Sequence, residues 1–74
     1  MTPKLPRLTA AVVVKALERA GFAIVRQSGS HRVLRNRHGC RVTVPMHAGK
    51  TLHPKILKSI LRDAEMSAEY FQDL

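Results

Sequence analysis

The chain has 74 residues, 45% of them apolar, with 13 Lys and Arg against 5 Asp and Glu, and one cysteine. That length makes one domain near the lower size at which a core holds itself together, and the apolar share excludes a disordered chain. A single cysteine, Cys40, excludes an internal disulfide and fits a reducing compartment. The opening "MTPKLPRLTAAVVV" is too weakly apolar for a signal peptide and no run reaches transmembrane length, so the expected location is the cytoplasm.

The net charge of +8 is unevenly spread. Between Arg19 and Arg62 there are ten basic residues and no Asp or Glu, while Asp63, Glu65, Glu69 and Asp73 all fall in the last twelve positions. A solvated protein face usually mixes signs. A 44-residue span without an acid therefore points to a polyanionic partner. Nucleic acid is favoured over a membrane surface, because no segment joins the charge to a broad apolar face.

In chain order, "LTAAVVVKALERAG" predicts a helix with Thr9 as N-cap and Gly21 just past its end. Ala10, Val13, Val14, Leu17 and Ala20 form its apolar stripe. "FAIVRQ" (Phe22 to Gln27) predicts a strand, Ser28-Gly29-Ser30 a turn, and "HRVLR" (His31 to Arg35) a second strand. Asn36-Arg37-His38-Gly39 carries hairpin turn chemistry. "CRVTVP" (Cys40 to Pro45) predicts a third strand, with Cys40, Val42 and Val44 on one face. After the loop "MHAGKT" comes a second helix, "LHPKILKSILRDA", with Pro54 in its first turn and Ile56, Leu57, Ile60, Leu61 and Ala64 as its buried stripe. Lys55, Lys58 and Arg62 share a separate basic face. "SAEYFQDL" predicts one more short helical turn capped by Ser67. The expected fold is a single α+β domain over residues 1–74 in the order α-β-β-β-α. Its three-stranded antiparallel sheet is covered by two helices on one face, the arrangement of double-stranded-RNA-binding domains.

The chemistry available is narrow. A metal-dependent nuclease needs carboxylates to hold its cation, and the middle of the chain offers none. His31, His38, His47, His53 and Cys40 match no familiar zinc spacing, so no metal or other cofactor is expected. Histidine with arginine and lysine remains, and that set is sufficient for RNA cleavage. The substrate's 2′-hydroxyl is a built-in nucleophile, histidine moves protons near neutral pH, and cations with backbone N–H groups stabilise the charged phosphorane. In "RQSGSHRVLRNRHG" the small Gly29-Ser30 pair lets a phosphate approach the backbone beside His31. Composition alone leaves His31 open between an exposed strand-end histidine and a catalytic group.

The stretches "LERAGFAIVRQSGSH", "RVTVPMH" and "LKSILRDAEMSAEYF" resemble the HicA family of toxins, small mRNA interferases paired with HicB antitoxins. Gly29-Ser30-His31 after an Arg-Gln strand is the most specific part, supported by Pro45-Met46-His47. The resemblance implies a double-stranded-RNA-binding-like fold and a catalytic histidine that falls on His31. It also implies ribosome-independent mRNA cleavage and neutralisation by a HicB-type antitoxin. The chain departs from the family at "LHPKILKSIL", where members often carry a small pair such as Gly-Thr at the helix start. His47 is a secondary candidate, as a second acid/base group, an RNA contact or a residue that fixes its loop. Gly29, Ser30, Arg26, Arg32, Lys50, Lys55 and Lys58 are candidate RNA contacts. His38 reads as a solvated turn residue and His53 as a helix-start residue. The alternative is a non-catalytic double-stranded-RNA-binding module of the same fold. A DNA-binding or ribosome-associated adaptor is disfavoured because strands, not a helix-turn-helix, carry the densest charge.

Overall fold

A computed structural model describes residues 7–47 and 49–74. The first six positions, which belong to the segment read above as no signal peptide, lie outside the described residues. The order is α1 (Ala10–Arg19), β1 (Ala23–Ser28), β2 (His31–Arg35), β3 (Arg41–Pro45), α2 (Pro54–Asp63) and α3 (Ala68–Gln72). The strands form an antiparallel meander in the order β1-β2-β3. This is the α+β, double-stranded-RNA-binding-like layout expected from the sequence, with α3 as a short addition after it.

Each helix begins on a side-chain cap. Thr9 Oγ1 accepts from the Val12 N–H at 3.4 Å, and Ser67 Oγ accepts from the Tyr70 N–H at 3.1 Å. The end of α1 is a Schellman motif: Gly21 lies at φ +101°, its N–H donates to Glu18 O, and the Phe22 N–H donates to Leu17 O, both at 3.0 Å. Phe22 is therefore not the first residue of β1. It is a buried anchor just before the strand. The end of α2 repeats the motif without glycine. Glu65 takes φ +55°, its N–H donates to Arg62 O at 3.1 Å, and the Met66 N–H donates to Leu61 O at 2.9 Å.

The core lies on one face of the sheet. Leu34, Val42 and Val44 point there and pack against Val13, Val14, Ala16 and Leu17 of α1, Leu57, Ile60 and Leu61 of α2, and Phe71 of α3. Burying a Leu or Val side chain is worth about 1.5–3 kcal/mol, and Leu17, Leu34, Leu57, Val13, Val42 and Val44 are fully buried. Three further expectations are corrected. Cys40 precedes β3, which starts at Arg41. Ala16 joins the buried stripe of α1, while Ala20, its C-cap, is only partly covered. Ile56 stays 41% exposed, because one residue step turns it about 100° from Leu57, to the margin of the stripe.

The helices pack over β3, leaving β1 an uncovered edge whose residues are all exposed. Ile24 and Val25 are the apolar residues left open there. The β1–β2 register shifts between Ile24 and Arg26, a β-bulge at Val25. Such a bulge twists an edge and makes it a poor template for pairing with another chain.

Candidate nucleic-acid interface

One end of the sheet gathers the two most specific sequence motifs. Ser28, read above as part of the turn, is the last residue of β1 and pairs with His31, so Gly29-Ser30 alone is a two-residue hairpin turn. Gly29 has φ +55° and Ser30 does not share a positive φ, the pattern of a type II′ turn, in which the first position needs glycine. His31 stands opposite Pro45, and the Met46 N–H donates to Ser30 O. The loop after His47 is tied to the start of α1 by a bridge between Thr9 and Thr51 and by the Leu52 N–H donating to Leu8 O at 2.7 Å. Backbone pairing thus brings Gly29-Ser30-His31 and Pro45-Met46-His47 side by side, next to the starts of both helices.

Side chains alternate between the faces of a strand, and the register fixes what each face presents. His31 lies on the open face with its cross-strand neighbours Ser28 and Pro45. The next row is Arg26, Val33 and Thr43; the row beyond it is Ala23, Arg35 and Arg41. His31, Arg26, Arg35 and Arg41 are all exposed. Arg35 and Arg41, absent from the sequence-based candidates, stand directly opposite each other. Like charges in that position oppose pairing. The ion pair found among the described residues joins Arg62 to Asp63 at 3.8 Å, so the strand arginines carry uncompensated charge. Their pairing could be found only from the β2–β3 register.

Arg32 follows His31 in sequence but sits on the other face, between Gln27 and Val44. It lines a cleft of about 350 Å³ together with Ala10 and Ala11 of α1 and Met46, His47 and Gly49 of the loop. Its Nε is buried and has no hydrogen-bond partner. An orphaned buried donor costs on the order of 1–3 kcal/mol. The cleft also faces the start of α1, which has no acid in its first turn.

The other candidates separate. His53 is the N-cap of α2: its Nδ1 accepts from the Lys55 N–H at 3.0 Å. His38 lies in the β2–β3 turn at the far end, where its N–H donates to Asn36 Oδ1 at 3.0 Å. Lys50 is exposed in the loop, Lys55 in the first turn of α2, and Lys58 one turn further on. Cys40 is also at the far end. Its thiol donates to Glu65 Oε2 at 3.3 Å, and that bond, with partial desolvation, raises its pKa above the ordinary thiol value. Thiolate chemistry is thereby suppressed. Among the described residues no group of three His, Cys, Asp or Glu side chains is placed to hold a metal ion, and no helix is long and apolar enough to cross a membrane.

Fold and site together define a small α+β domain of the double-stranded-RNA-binding type, with an exposed histidine at one sheet end, on a face that carries Arg26 and, toward the other end, Arg35 and Arg41. Residues 11–66 match the family model described as the HicA toxin of bacterial toxin-antitoxin, and the chain belongs to that family. The matched span runs from the first turn of α1 to Met66 and contains His31, Arg32 and His47; α3 lies beyond it. No curated protein matches the chain.

Proposed function

We propose that this toxin is an endoribonuclease that cleaves mRNA without the ribosome and without a metal ion, using His31 for proton transfer. The observation that carries this reading is the placement of His31: exposed at the first position of β2, beside a glycine turn open to a phosphate, on a face whose arginines have no carboxylate partner.

The reaction follows from RNA's own nucleophile. His31 takes the proton of a 2′-hydroxyl as the 2′-oxygen attacks phosphorus. A P–O2′ bond forms, the P–O5′ bond breaks, and the leaving 5′-oxygen is protonated by a second group, for which His47 in the adjoining segment is the candidate. Arg26, one row along the same face, and the Gly29 and Ser30 backbone beside His31 hold the charge developing on the phosphoryl oxygens. Lys50, Lys55 and Lys58 draw the flanking backbone toward this end. The role of Arg32 differs and is taken up below.

A HicB-type antitoxin is the protein partner in this reading. An acidic surface that covers His31 and the arginine rows would compete with RNA for the same potential. The non-catalytic RNA-binding alternative shares the basic surface but yields no cleaved product.

Product chemistry tests the mechanism. Purified toxin in EDTA should cleave RNA at an unchanged rate and leave 2′,3′-cyclic phosphate and 5′-hydroxyl ends. Activity lost in EDTA and restored by magnesium would overturn it, as would 5′-phosphate ends.

A further inference from the structure

We infer that the cleft lined by Arg32 and His47 is a second phosphate subsite, taking an RNA phosphodiester next to the one cleaved at His31. The strand would then fold around the Gly29–Ser30 end of the sheet instead of lying along one face. This deepens the ribonuclease reading and rests on it for the identity of the polymer.

Four observations converge. The buried Arg32 Nε has no acceptor within the protein, although the residue lines an open cleft. Arginine's planar fork matches two oxygens of a phosphate, and charge-assisted hydrogen bonds of this kind are the strong ones. No carboxylate lines the cleft to neutralise that charge. The first turn of α1 forms another wall and carries no acid, so its dipole favours an anion. Finally, Ala10, Ala11 and Met46 give the cleft apolar walls, and at about 350 Å³ it has room for a sugar-phosphate unit, more than a single carboxylate side chain requires.

The path of the strand follows from the register. His31 and Arg32 are adjacent residues on opposite faces of β2. One ligand reaches both only by passing over the end of the sheet, where the turn has no side chain at Gly29 and nothing within 4 Å of where one would be. Single-stranded RNA can make that bend; a stiff duplex cannot.

The experiment is a titration followed by nuclear magnetic resonance of the Arg32 Nε–H, using the intact chain. The probes are inorganic phosphate and a 2′-deoxy dinucleotide, which lacks the nucleophile and stays intact whether or not His31 is catalytic. Both probes should shift the Arg32 Nε–H saturably and slow its exchange with water. Arg32→Gln should weaken dinucleotide binding roughly 10-fold or more, and Arg32→Lys should restore part of it. If Arg32→Gln fails to fold, the Nε–H signal of the unmodified chain decides alone. An Arg32 signal indifferent to both probes overturns the subsite, even in a preparation that cleaves RNA. A dinucleotide-dependent shift in a preparation that cleaves nothing upholds the subsite and removes the nuclease reading. A shift produced by a glutamate-rich peptide but not by the dinucleotide also overturns it, and assigns the cleft to an acidic protein.

Discussion

The two ends of this small sheet are built on opposite principles. At the β2–β3 turn, polar groups close on one another. Asn36 Oδ1 accepts from the His38 and Cys40 N–H groups at 3.0 and 2.9 Å, and the Cys40 thiol donates to Glu65. A pocket there is lined by the C-cap residues of α1 and α2, Ala20 and Ala64, with Phe22, Asn36 and the start of the α3 segment. At the Gly29–Ser30 end, backbone pairing is just as complete, but one guanidinium nitrogen is buried without an acceptor, and the open face carries arginines without a carboxylate partner from Arg26 at its middle to the Arg35–Arg41 pair toward the β2–β3 turn. The first end holds the fold together. The second leaves a buried donor and exposed cations without partners inside the protein.

That contrast can be broken experimentally, starting at the structural end. Phe22→Ala removes a buried ring that anchors the Schellman motif and should lower stability by about 3–5 kcal/mol in urea titrations, while the fraction still folded cleaves RNA normally. A reduced turnover per folded molecule would show that the two ends are coupled. Asn36→Ala leaves two turn N–H groups without their acceptor and should lower stability by about 1–2 kcal/mol, again with cleavage untouched. Thermal melting and single-turnover cleavage on the same preparation check both halves.

At the other end the signature reverses. Lys55→Ala and Lys58→Ala remove exposed charges and should change stability by less than about 0.5 kcal/mol. Each that meets a phosphate should weaken RNA binding similarly across sequences and reduce the slope of log affinity against log salt by roughly one. Affinity indifferent to salt between ~50 and ~200 mM would remove α2 from the interface.

Most of the scaffold was legible because local chemistry and tertiary structure agree. Thr9, Ser67, Pro54 and Gly21 mark helix limits where the structure has them, and the Asn36–Gly39 hairpin lies where its turn residues put it. The end of α2 was harder to read, because Glu65 adopts a conformation that usually advertises itself with glycine. The bulge at Val25 has no sequence mark at all. At the site, His31 and its glycine turn were readable, since a period-two pattern and a hairpin signal place them. The Arg35–Arg41 pair, on the same face toward the β2–β3 turn, was not, because it depends on which residue of β3 faces which residue of β2. Arg32 was grouped with His31 by proximity in sequence, and strand alternation separates them onto two faces. His53, read as a helix-start residue, is the N-cap of α2.

The central claim is that the Gly29–Ser30 end performs chemistry through one exposed side chain that the fold does not need. His31→Ala measures this directly. RNA cleavage, RNA affinity and thermal melting are followed on the same purified variant. The account predicts that cleavage falls by roughly 10²–10⁴ while affinity stays within a few-fold and the melting curve is unchanged. Cleavage that persists at the unmodified rate in a folded His31→Ala protein would contradict it.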